Sequence, residues 1–82
     1  MGKSIHSPEH QKLCELLIAA RKKANLTQAD VAARLGRPQS FVAKYEGGER
    51  RLDVVEFLLV GQAIGFDPAR VLRQVEKGRS RQ

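Results

Sequence analysis

A chain of 82 residues makes one small domain, able to bury only roughly 60–65% of its unfolded surface, so support from a partner subunit is plausible. Lys and Arg outnumber Asp and Glu by 15 to 9, and the resulting formal charge of +6 favours an anionic partner, nucleic acid ahead of an anionic membrane. Cys14 is the only cysteine, no apolar run nears the roughly 18 residues of a membrane span, and no leader pattern precedes the fold; the expected setting is cytoplasmic, without disulfides or membrane insertion.

In chain order, residues 1–6 are polar and expected to fray. Ser7-Pro8-Glu9 reads as a helix start, with a serine cap, proline at the first helical position and an acid at the positive end of the dipole. Leu13, Leu17, Ala20 and Ala24 continue at helical spacing, and Asn25 can take the left-handed conformation that ends the helix. Thr27 and Asp30 form a capping-box variant opening a second helix, with Val31, Ala32 and Leu35 as its buried stripe and Gly36 just past its end. A third helix starts at Pro38 or its neighbour and runs to about Glu46, where Gly47-Gly48 stops it. Asp53 caps a fourth, to Ile64, closed by Gly65. Asp67-Pro68 opens a fifth, carrying Val71, Leu72 and Val75, which decays into KGRSRQ. The expected division is a flexible segment 1–7, a domain over 8–76 and a flexible basic tail 77–82. No strand pattern, internal repeat or interdomain linker appears, so the predicted class is all-α with five helices.

Between Leu26 and Arg51 the pattern is more specific. Two short helices meet at a glycine turn, and the second carries small polar residues opposite its apolar ones. Gly36 can adopt the positive φ that lets two helices meet steeply, and Ala32 is small where they cross. Val42 and Tyr45 hold the second helix inward, leaving Gln39, Ser40, Ala43 and Lys44 outward. The matches L-T-Q-A-D-V-A-x-x-L-G, Q-S-x-V-x-K-Y-E-x-G and a terminal A-I-G, spread over Leu13 to Gly65, resemble the phage-repressor (XRE/Cro-like) helix-turn-helix family. The resemblance implies a lambda-repressor-like DNA-binding domain with its helix-turn-helix at helices 2 and 3. Arg37 departs from the pattern, standing where the family usually has an apolar residue. Either its stem lies along the domain while its head reaches a phosphate, or the turn packs less tightly.

By the resemblance, Gln39, Ser40 and Lys44 are the base-reading candidates. Gln can pair bidentately with adenine, Lys favours guanine, and Ser is permissive. Gln28 resembles the family's phosphate-binding glutamine at a helix amino end. Arg37, Arg50 and Arg51 are candidate phosphate contacts within the stretch Arg34 to Arg51, which holds five basic residues against Glu46 and Glu49, although a charge run can be merely a solvated face. Arg21 and Glu46 match a family ion pair, with Glu46 bracing the recognition helix and Arg21 also placed among the phosphate candidates. Phe41 either touches a thymine methyl or packs toward helix 2; packing is the favoured reading.

Helix 4 is apolar nearly all round. One buried face would take Val54, Phe57, Leu58, Gly61 and Ile64, leaving Val55, Leu59, Gln62 and Phe66 on an adjacent strip. Either helix 5 folds back over it or a two-fold homodimer covers it, and both can hold together. A dimer would set two recognition helices about 34 Å apart on a roughly palindromic operator. His6, His10 and Cys14 share i, i+4, i+8 spacing, but Pro8 interrupts the helix and no fourth ligand stands nearby, so no metal is expected. No nucleophile–base set, carboxylate pair or phosphate-cradling loop suggests an enzyme or a cofactor. The expected function is therefore a small dimeric regulator that binds double-stranded DNA and acts by occupancy. Rival readings are an antitoxin of the same fold, an adapter of the transcription machinery, and a binder of anionic membrane surfaces through the basic tail.

Overall fold

Ser7 Oγ accepts a hydrogen bond from the His10 backbone N–H at 3.1 Å, and Pro8 occupies the first turn, so α1 (Pro8–Lys23) starts at its cap. The computed structural model describes residues 7–80, with side chains through 78; the segment 1–6 expected to fray lies outside the described residues. Ser7 itself, expected in the flexible segment, belongs to the helix it caps. Asn25 stands just past α1 with φ +61°.

The box that opens α2 (Gln28–Leu35) is reciprocal. Thr27 Oγ1 accepts from Asp30 N–H at 3.0 Å, and Thr27 N–H donates to the Asp30 carboxylate at 2.9 Å. Gly36 follows at φ +69°, and Arg37 N–H reaches back to the Ala32 carbonyl at 3.0 Å. That left-handed stop turns the chain into α3 (Gln39–Glu46) within three residues. α4 (Val54–Ile64) opens with a second reciprocal box, between Asp53 and Glu56. α5 (Pro68–Ser80) continues beyond Glu76 to Ser80, so the expected flexible tail is helical over residues 77–80.

α2 and α3 pack as a pair, α4 lies against α2, and α5 lies chiefly along α1. Leu17, Val31, Val42, Tyr45 and Val60 are the largest fully buried side chains, drawn from four helices into one core. Two expectations for this packing change. α4 buries Phe57, Val60, Gly61 and Ile64, whereas Val54 and Leu58 are exposed. In a helix this apolar, several stripes satisfy helical spacing, so the pattern could not fix its rotation. α5 does not cover α4 either: its Val71 is buried within the core, while Leu72 stays about half exposed.

Candidate nucleic-acid interface

The two faces of α3 differ sharply. Phe41, Val42, Tyr45 and Glu46 are buried, whereas Gln39, Ser40, Ala43 and Lys44 are exposed. The three candidate base-reading residues therefore share the outward side. Phe41 packs: its ring meets Tyr45 edge-on at 5.5 Å between centroids.

Glu46 is the centre of a hydrogen-bond network. Arg21 Nε and Nη2 donate to its two carboxylate oxygens at 2.7 and 3.1 Å, and Arg21 Nη1 donates to the Leu26 carbonyl at 2.9 Å. Arg21, expected among the phosphate contacts, is thus placed as an internal brace between α1, the α2 entry and the end of α3. Gln28 Nε2 also donates to Glu46 Oε1, at 3.0 Å. A carboxylate only accepts, so Gln28 turns its amino group inward and its carbonyl outward. That carbonyl receives Gln39 Nε2 at 3.4 Å, which ties the first residue of α3 to the first residue of α2.

A second cluster lies where α3 meets the entry to α4. Glu56 accepts Arg50 Nη1 and Nη2 at 2.9 Å each, and Arg37 Nη2 stands 3.7 Å from the same carboxylate. Both guanidiniums sit over the Phe41 ring, 4.5 Å from its centroid for Arg37 and 4.8 Å for Arg50. The Arg37 guanidinium itself thus lies against the domain, over Phe41. Arg51 is exposed beside Arg50, which donates to its carbonyl.

The Arg50 hydrogen bonds, and next the Asp53 backbone N–H, pull the Glu56 carboxyl down to about 2. A folded value below the ordinary 4.5 means that this stabilisation is complete above about pH 4.5 and drains away as pH falls toward 2. Wild type should accordingly be more stable than Glu56→Gln at neutral pH, with the gap closing on the acid side. Urea unfolding at a series of pH values checks this; a gap independent of pH would contradict it.

Residues 13–74 match a family model described as a helix-turn-helix domain. Among solved structures, an XRE-family like protein from Pseudomonas syringae pv. tomato is 52% identical, with a TM-score of 0.83 over 92% of each chain. The chain belongs to the XRE-type helix-turn-helix family. No curated protein matched it. Family membership makes it a DNA-binding transcription regulator in general kind, with α2 and α3 as the helix-turn-helix.

The XRE-type fold also presents an apolar surface on α4. Val54, Val55, Leu58 and Leu59 are 74%, 64%, 47% and 48% exposed, and Gln62 is exposed beside them. Phe66, expected on this strip, instead packs partly inward. Its ring lies 5.7 Å from that of Phe57 and so close over Gly61 that an added Cβ would stand 3.1 Å from it.

Among the metal candidates, His6 lies outside the described residues. His10 and Cys14 are buried, with Sγ 3.7 Å from Nε2, and the thiol donates to the Tyr45 carbonyl at 3.3 Å. Burial pushes that thiol's pKa up, which keeps it protonated as a donor.

Sequence reasoning missed Glu56 as a hub. Its three-residue offset from Asp53 was a readable capping signal, but its approach to Arg37 and Arg50 depends on how the loop folds.

Proposed function

We propose that this chain binds double-stranded DNA sequence-specifically, as a dimeric transcription regulator with α3 in the major groove. Gln39, Ser40 and Lys44 face base edges in this reading, and Arg37, Arg50 and Arg51 face the phosphate backbone; Gln28, expected to grip a phosphate, has its amino group on Glu46 and supports Gln39 instead. The observation that carries it is the division of α3 into a fully packed inner face and an outer face of small polar side chains, with Gln39 buttressed from behind by Gln28. Holding a side chain in advance lowers the entropy lost when it docks, so a buttressed glutamine suits base reading better than a mobile one. The dimer is supported by the α4 surface, which stays uncovered among the described residues. Occupancy of a roughly palindromic site by two copies would then regulate transcription.

Operator duplexes substituted at each position in turn test the assignment. Gln39→Ala should flatten discrimination at one base pair, costing about 1–3 kcal/mol there. Arg50→Ala should weaken every duplex by a similar factor and lower the salt dependence. If both variants lose affinity evenly across all sequences, Gln39 does not read a base.

A further inference from the structure

The cluster of Arg37, Arg50, Phe41 and Glu56 has more cation than an internal brace requires. One arginine would satisfy the Glu56 carboxylate, yet two converge on it and leave a net positive charge. The exposures are divided as well. The Glu56 side chain is only 14% exposed, whereas Arg37 and Arg50 remain 44% and 38% exposed over a buried aromatic ring. Arg37 stands just before Pro38, the N-cap of α3, and Arg50 lies in the loop after it, so segments on both sides of the recognition helix send a guanidinium to its first turn. Their Nη2 atoms approach the same Glu56 oxygen at 3.7 and 2.9 Å, close enough to one another for a single phosphate group to touch both. Arg50 spends both Nη1 hydrogens, on Glu56 and the Arg51 carbonyl, and one Nη2 hydrogen on Glu56, so its second Nη2 hydrogen and the Arg37 N–H groups are what the pair can offer a phosphate.

We infer that Arg37 and Arg50 form one joint seat for a single DNA backbone phosphodiester, and that Phe41 and Glu56 are its positioning residues. This rests on the DNA-binding reading above and sharpens it: the two arginines act together on one phosphate, and a carboxylate beside DNA strengthens binding. Glu56 repels the phosphate at long range, but it holds Arg50 at both Nη atoms and draws in Arg37. Ordering two long side chains before contact outweighs a single screened repulsion.

The sign of one substitution separates positioning from plain charge. Glu56→Gln removes a negative charge near DNA, so a charge-only account predicts tighter binding. The seat predicts the reverse, a loss of about fivefold on every duplex at fixed salt, which is what releasing an ordered side chain costs. Phe41→Leu leaves the capping box and the ion pair in place and should show a similar loss; it decides the matter should Glu56→Gln fold poorly. Binding to a synthetic operator across a salt series then counts phosphates, since each one contributes about 0.9 to the logarithmic slope. Arg37→Ala with Arg50→Ala should lower that slope by about one phosphate in total, rather than two.

Unchanged or tighter binding by folded Glu56→Gln and Phe41→Leu overturns the positioning roles. Slopes in the double variant that match wild type, or that fall by two phosphates, overturn the joint seat while leaving DNA binding intact. A wild-type chain without salt-dependent duplex binding defeats the DNA reading itself, and the seat with it.

Discussion

Glu46→Ala should bring the domain close to unfolding, although Glu46 lies at the end of a helix rather than in the apolar core. Its side chain is 5% exposed and that of Arg21 12%, and the guanidinium meets the carboxylate through two nitrogens. Alanine removes every acceptor those nitrogens use on α3 and strands the Gln28 amino group as well. Breaking a buried pair from one side costs about 3–5 kcal/mol, because the remaining guanidinium keeps little water and only the Leu26 carbonyl. Domains of this size hold about 5–15 kcal/mol in total, and at 82 residues the lower part of that range applies. Thermal unfolding followed by circular dichroism should show Tm falling by roughly 15–30 °C. Arg21→Met combined with Glu46→Leu should recover most of the loss, since it removes both charges from the site together. A drop of only a few degrees for Glu46→Ala would mean that water reaches the pair and that α3 is held by its apolar face alone.

Local signals in the sequence carried most of the fold. Thr27 with Asp30, Ser7 with Pro8, and Asn25 and Gly36 at helix ends each act within a few residues, so their chemistry is complete in a short window. The outward set on α3 was legible for the same reason: Val42 and Tyr45 are distinct enough from Gln39, Ser40 and Lys44 to fix the helix's rotation. α4 lacks that contrast. Val54 and Leu58 look as buriable as Phe57 and Val60, and only the position of α2 decides between them. Arg21 was legible as the partner of Glu46, but the Leu26 carbonyl that occupies its remaining nitrogen depends on how the α1–α2 turn folds. Glu56, Arg37 and Arg50 come from three segments whose meeting is a tertiary event, so that cluster was closed to a linear reading. The course of α5 was likewise undecided, because Val71, Leu72 and Val75 would suit either α1 or α4 as a neighbour.

That last outcome bears directly on the dimer. With α5 lying chiefly along α1, the Val54, Val55, Leu58 and Leu59 surface has no cover among the described residues, so the second copy is the remaining explanation offered by the sequence. Leu59→Asp is therefore expected to yield a folded monomer. The side chain is about half exposed, so the domain itself should change by only about 0.5 kcal/mol. In a two-fold interface the same substitution places two carboxylates in one apolar contact, where neither can be fully hydrated. Sedimentation should show half the wild-type mass, and affinity for a full palindromic operator should fall by about 10²–10⁴-fold as avidity is lost. Affinity for an isolated half-site should stay near that of wild type, because α3 and its supports are untouched. This pairing of results distinguishes a lost partner from a damaged domain, which would weaken half-site and full operator alike. If wild type already sediments as a monomer while bound to a full operator, the α4 surface belongs to a different partner, and the two half-sites must be held together by some other contact.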